Sequence, residues 1–219
     1  MKKDWNFKKE LARKFVHFFS IFILIIYFFV SETFSRQIAL FILVLILIIF
    51  LEFEYLRIEV GRKIPILSSI WKYVRREKEK DKLGGDVYLL LGAILVLSIF
   101  DIKIAIIALL MTTFGDMAAA LIGTRFGKHY LKHLKDRAWE GILAELLVNL
   151  FIGFMVFFWG FWSNLGLISD VQSWTIIIVM SITATFVETI IYKMDDNLLI
   201  PVFSGFNGQM VLLLFNWLS

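Results

Sequence analysis

Apolar residues in this chain come in long blocks, not in the alternation of a half-buried strand or the narrow stripe of a surface helix. A helix that crosses about 30 Å of hydrocarbon needs roughly 20 mostly apolar residues. Seven blocks meet or approach that length, near 15–30, 37–56, 85–100, 103–123, 139–162, 174–192 and 198–217. The third is short, and only Asp101–Lys103 separates it from the fourth, which predicts a tight helical hairpin. The seventh begins near Pro201, a residue expected to delay or kink its helix and leave carbonyls free. The pattern predicts an all-α polytopic membrane protein, a single domain over 1–219. It has a polar arm at 1–14 and basic loops at 57–82 and 124–138. No small-residue cleavage site follows the first apolar run, so a cleaved signal peptide is not expected.

Composition narrows the function classes. Hydrophobic residues make up 59% of 219 residues, well above a soluble domain. The absence of Cys excludes a disulfide scaffold, a thiolate metal site and a cysteine nucleophile. Net charge is +4, and its distribution matters more than its size. Of the 23 Lys and Arg, 21 fall in the N-terminal arm and in the loops after the second, fourth and sixth spans. Arg36 and Lys103 are the exceptions. Lys and Arg collect on the cytoplasmic side, which predicts a cytoplasmic N-terminus and an outside C-terminus. The run Arg75-Arg76-Glu77-Lys78-Glu79-Lys80-Asp81-Lys82 reads as a solvated helix near anionic lipid, not as a nucleic-acid site.

The acids in or beside the spans are Glu52, Glu54, Asp86, Asp116, Glu140, Glu145 and Glu188, and all fall in the cytoplasmic half. Charges inside a bilayer are costly and usually functional. Basic loops alternate with them, the pattern of a site that holds a polyanion through Lys/Arg and a divalent cation through carboxylates. Glu52, Glu54, Glu77, Glu79 and Asp81 read more simply as neutralising nearby bases. Asp116 and Glu188 lie deeper and read as functional. A path across the membrane, as a transporter needs, is not lined.

Four stretches carry the candidate chemistry. Arg13, Lys14 and His17 share a helix face and form a cationic patch suited to phosphate. In Gly84-Gly85-Asp86 the acid reads as a helix N-cap or a site residue. From Thr112 to Lys128, Gly115, Ala119 and Gly123 recur every four residues and let another helix pack closely. Thr112 and Thr113 lie a turn before Asp116 and extend a polar stripe, and Arg125 and Lys128 follow where the helix emerges. Between Lys135 and Glu145, Trp139 suits the membrane interface. Glu145 and Asn149 share a face, with Glu140 on another side. Asp195-Asp196-Asn197, two turns after Glu188, read first as helix caps and second as metal ligands.

Arg13-Lys14-x-x-His17, Gly115-Asp116-x-Ala118-Ala119-Ala120-x-x-Gly123-x-x-Phe126-Gly127-Lys128, Glu140-Gly141 and Asp195-Asp196-Asn197-Leu198-x-Ile200-Pro201 together resemble the membrane lipid-alcohol kinases. That family includes dolichol kinase, phytol kinase and CTP-dependent diacylglycerol kinase, and is distantly similar to phosphatidate cytidylyltransferase. The resemblance runs in order from about residue 10 to residue 208. Where the family often has Lys-Ser before Glu-Gly, this chain has Arg137-Ala138: the charge is kept and the hydroxyl lost.

The resemblance implies transfer of the terminal phosphate of a nucleotide, CTP by family, to a lipid hydroxyl at the cytoplasmic face of the membrane, with a polyprenol or dolichol as acceptor. Phytol, geranylgeraniol and diacylglycerol are the alternative alcohols; cytidylyl transfer and then transport are the alternative activities. It further implies Mg²⁺ held by Asp116 with Glu188 or Asp196. Phosphate oxygens would meet Arg13, Lys14, His17, Arg125, Lys128 and Arg137 around Gly115, Gly123 and Gly127. Glu140 or Asp86 would orient or deprotonate the hydroxyl, with Asn197 steadying the metal shell or the base. The partners implied are the lipid, the nucleotide and the bilayer. Small-residue faces leave a homo-oligomer open.

Overall fold

The computed structural model describes residues 19–60, 82–131, 137–158, 170–191 and 194–218. Arg13, Lys14, His17 and most of the 57–82 loop lie outside the described residues. The chain divides between Leu91 and Gly92 into two compact units.

In the first unit, α1 (Phe19–Thr33) and α2 (Arg36–Val60) pack as a hairpin. Ser35 makes the turn, its Oγ accepting the Ile38 N–H at 3.3 Å while its carbonyl accepts the Ala39 N–H. At 1.5 Å per residue, α2 extends about 37 Å and outruns the hydrocarbon by a turn or two. Its surplus turns carry a buried ion pair, Glu54 with Arg57 at 2.8 Å. Glu54 Oε2 also accepts the Gly84 N–H, and Arg57 donates to the Lys82 carbonyl. The pair fastens the returning chain where α3 (Gly85–Ile99) begins. The Gly84 carbonyl accepts the Val87 and Tyr88 N–H groups. Gly84 therefore starts this helix, and Asp86 sits inside its first turn instead of capping it.

The second unit holds the rest of α3 and a sequence of further helices. Asp101 caps α4 (Ile102–Leu110), its side chain accepting the Lys103 N–H at 2.9 Å, so the expected hairpin is present. The Asp101 N–H in turn donates to Gln209 Oε1. Lys103 does not emerge at the membrane surface: it is buried, with Nζ 5.6 Å from the centre of the Phe157 ring. A wider π-helical turn, Met111–Gly115, joins α4 to α5 (Asp116–Phe126). Two short strands, β1 (Tyr130–Leu131) and β2 (Arg137–Ala138), pair antiparallel and lead into α6 (Trp139–Phe158). Helices α7 (Asp170–Ile190) and α8 (Asp196–Leu218) complete the unit.

Among the described residues, five helical stretches are long and apolar enough to cross a membrane: Arg36–Glu59, Ile102–Phe126, Trp139–Phe158, Val171–Ile190 and Asp196–Leu218. Ser20–Thr33 and Gly85–Ile99 are apolar but shorter. The protein is all-α and polytopic, with the seven expected spans present as five full-length and two shorter helices. Its surface is inverted relative to a soluble fold. Phe151 on α6 is 61% exposed, whereas Glu145 and Asn149 on the same helix are 1% and 0% exposed. Apolar side chains face outward to lipid, and polar ones face protein.

Pro201 does not delay α8, which starts five residues earlier. Lacking an N–H, it leaves the Asn197 carbonyl without its usual helical donor. A Cβ on Gly92 of α3 would stand 3.0 Å from that carbonyl and 3.2 Å from the Pro201 ring. Gly92 thus admits α8 at close range where its backbone is irregular.

Candidate active site

Helices α5 and α6 run antiparallel, joined by the β1–β2 hairpin. Their crossing has almost no side-chain thickness. A Cβ on Gly141 would lie 2.7 Å from the Ala119 carbonyl and 3.0 Å from the Gly123 Cα. Eight residues on along α6 and eight back from Gly123, in the π-helical turn, Asn149 Oδ1 lies against Gly115. The Gly115–Ala119–Gly123 stripe is the face on which α6 docks, as small residues permit. Gly123 and Gly115, expected near phosphate, serve this crossing. Gly127, also expected there, faces the Gly123 carbonyl and the buried Ala138.

The hairpin fixes the charged residues at its ends. Glu140 accepts the Lys128 N–H at 3.1 Å, and its Oε1 meets His129 Nδ1 at 2.9 Å. The His129 carbonyl accepts the Trp139 N–H. Glu140 is thus committed to the turn after α5, and it lies apart from Glu145, as the helix spacing suggests. Arg125 and Phe126 are exposed, the guanidinium carbon 5.5 Å from the Phe126 ring centre.

On the inner side of the crossing a charged cluster forms. Arg137, carried on β2, pairs through Nη1 with Glu188 Oε1 of α7. The Glu188 side chain is 1% exposed and that of Arg137 20%. Glu145 lies close enough to act electrostatically on Glu188 and Arg137, and Asp116 on Glu145 and Arg137. Burial works against the Arg137 charge, yet Glu188, with Glu145 and Asp116, holds the guanidinium above the ordinary arginine value. Asn149 Nδ2 donates to Thr185 Oγ1 at 3.2 Å and completes the polar floor between α6 and α7.

The structure therefore joins Asp116, Arg137 and Glu188 among the expected residues. It adds Glu145, Asn149 and Thr185, absent from the expected set. The signal for them was an i,i+4 polar pair and a Thr three residues before Glu188, each inside an otherwise apolar span. Thr112 and Thr113 are buried, and their hydroxyls donate back to the Ala108 and Leu109 carbonyls. Asp195 behaves as a cap, its Oδ1 accepting the Asn197 N–H and its carbonyl those of Leu198 and Leu199. Asn197 is buried at the start of α8, and Asp196 occupies its first turn. Asp86 belongs to the other unit and is described with it above.

Mg²⁺ is expected on Asp116 with Glu188 or Asp196. Among the described residues, no three His, Asp or Glu side chains are gathered as ligands for one ion. The positive charge between the acids is the Arg137 guanidinium, and Glu188 is committed to it.

No family model and no solved structure matches the chain. Curated proteins do. It is 26% identical over 150 residues to CTP-dependent diacylglycerol kinase 1 of Schizosaccharomyces pombe, covering 64% of this chain and 68% of that protein. It is 27% identical over 206 residues to chloroplastic phytol kinase 1 of Arabidopsis thaliana, covering 89% and 64%. A probable chloroplastic phytol kinase of Triticum aestivum is 27% identical over 140 residues, covering 62% and 47%. The chain is thus similar to curated lipid kinases. It spans about half to two thirds of the length of these lipid kinases. The resemblance carried by the sequence motifs is thereby borne out at the level of the family.

Proposed function

We propose that this protein transfers the terminal phosphate of CTP to the hydroxyl of a membrane lipid alcohol at the cytoplasmic face. The observation that carries the reading is the half-buried Arg137, held by Glu188 and within electrostatic reach of Asp116, in a chain of membrane-length helices similar to lipid kinases. The placement of Lys and Arg along the sequence puts this end of the helices in the cytoplasm, where nucleotide is found. The lipid tail stays in the bilayer, against the exposed Phe and Leu side chains of α6 and α7.

Phosphoryl transfer asks mainly for positioning and charge neutralisation. Arg137 neutralises the phosphate oxygens, with Lys128 and Arg125 at the emerging end of α5. Asp116 accepts the hydrogen bond of the lipid hydroxyl and takes its proton. The oxygen bonds the terminal phosphorus, the bond to the bridging oxygen breaks, and CDP leaves. No step is routed through a metal held by the protein. The acceptor is an apolar alcohol of the polyprenol, phytol or diacylglycerol kind, with polyprenol or dolichol the first to be tried.

Transfer of label from terminally labelled CTP or ATP into the organic phase tests the reading, with purified protein and a panel of these alcohols. Label from CTP, lost by on the order of 1000-fold in Asp116→Asn, is the expected result. Label from the α-phosphate in its place would assign cytidylyl transfer. No label from folded protein with any alcohol or donor would overturn the kinase reading.

A further inference from the structure

Asn149 is an amide inside an apolar span, and it is 0% exposed. A polar side chain there is costly unless neighbouring helices engage it. One half of the amide is engaged: Nδ2 donates to Thr185 Oγ1 of α7 at 3.2 Å. The other half is not. Oδ1 receives no N–H or O–H from the protein, and it lies against Gly115. A Cβ on Gly115 would collide with that oxygen and stand 3.2 Å from both Cγ and Nδ2. Simple packing of α6 would be served as well by an apolar side chain, with no buried acceptor left over.

Gly115 closes the wide turn Met111–Gly115, and Asp116 follows it directly. A π-helical turn inside a span loosens backbone carbonyls, which Ser or Thr hydroxyls can serve. Thr112 and Thr113 donate to the Ala108 and Leu109 carbonyls at 2.8 and 3.0 Å and hold the beginning of the turn. At its end, the neighbour is the Asn149 amide.

We infer that Asn149 is a positioning residue for Asp116: tied to α7 through Thr185, its amide is the stop on which the wide turn closes, and it sets where the Asp116 carboxylate stands. The catalytic consequence rests on the kinase reading, in which Asp116 takes the proton of the lipid hydroxyl, whereas the seating of residue 116 does not. Thr185 lies one turn before Glu188 on α7. The same tie therefore registers the turn that presents Asp116 against the helix that holds the partner of Arg137.

Three variants and two readouts test this. Thr185→Val removes the acceptor of the amide and keeps its shape; Thr185→Ser keeps the acceptor; Asn149→Ala removes the stop. In the transfer assay, kcat per folded molecule should fall about tenfold in Thr185→Val and about 100-fold in Asn149→Ala, the scale of a displaced catalytic group. The nucleotide KM should stay within about threefold of wild type, and Thr185→Ser should keep most of kcat. The second readout needs no turnover. The chain has no Cys, so Asp116→Cys supplies a single thiol. Its rate of modification by a water-soluble methanethiosulfonate should change by about threefold or more when Thr185→Val or Asn149→Ala is added. Where Asn149→Ala does not fold, Thr185→Val carries both readouts. Wild-type kcat in the folded variants, with only thermal stability lowered, overturns positioning, because the amide would then serve packing alone. A raised nucleotide KM with kcat intact overturns it too, because the amide would then serve the nucleotide. Equal thiol rates in every background overturn the seating of residue 116. If wild type transfers no phosphate, the kinase reading fails, while the thiol rates still decide the seating.

Discussion

Among the described residues, two arginine–glutamate pairs are wholly or partly buried, and they differ in what surrounds them. Glu54 and Arg57 sit one turn apart on a single helix, one charge against one, with the Gly84 N–H and the Lys82 carbonyl taking further bonds. Arg137 and Glu188 are 51 residues apart and come from different elements. Two more acids, Glu145 and Asp116, act on this second pair. The first pair is balanced and local, which suits a fastening. The second gathers three acids about one arginine, which suits a place where another charged species is handled. Burial and ion pairing alone do not separate structure from function; the balance of charge around the pair does.

The comparison can be broken by substitution. The largest effect on turnover is expected from Arg137→Ala, which should lower phosphate transfer by about 1000-fold, the scale of a lost arginine at a phosphoryl centre. Labelled CTP with a fixed lipid acceptor measures it, and Arg137→Lys should recover only part of the loss because the planar fork is gone. Next is Gly141→Ala, whose Cβ meets the backbone of Ala119 and Gly123. The helices must part there, at a cost of about 1–3 kcal/mol, and turnover should fall with the displaced site. Thermal unfolding in detergent and the same transfer assay would show both. The smallest effect on turnover is expected from Arg57→Ala. Stability should drop by roughly 3–5 kcal/mol, because Glu54 is left buried and unanswered. The rate per folded molecule should stay within about twofold of wild type, since a balanced fastening contributes fold and not chemistry. Loss of turnover in a folded Arg57→Ala protein would erase the distinction.

The spans were legible because lipid imposes one requirement, length of apolar run, on every helix. The close approach of α5 was legible in Gly115, Ala119 and Gly123 for the same kind of reason: a missing side chain has few uses within a span. Its partner, the Gly141 face of α6, was not, because spacing on one helix does not say which helix answers it. Asp116 and Glu188 stood out as lone acids in apolar runs. Glu145 is an equally lone acid, but nothing in the sequence brings α6 and α7 together. The pairing of Glu188 with Arg137 across 51 residues was invisible for that reason, and a metal was expected where a guanidinium stands. The hairpin escaped notice because two-residue strands are too short to show alternation. Arg13, Lys14 and His17 lie outside the described residues.

The π-helical turn at Met111–Gly115 separates two stretches with different surroundings. Lys103 through Leu109 on α4 are all buried, whereas no residue of α5 is fully so. A regular helix turns about 100° per residue, so its two ends are geared together, and aiming one aims the other. One extra residue in a single wide turn slips that gear. The buried half can keep the rotation its packing demands, while Asp116, the first residue past the slip, is aimed independently. Each half can then change in sequence without turning the other.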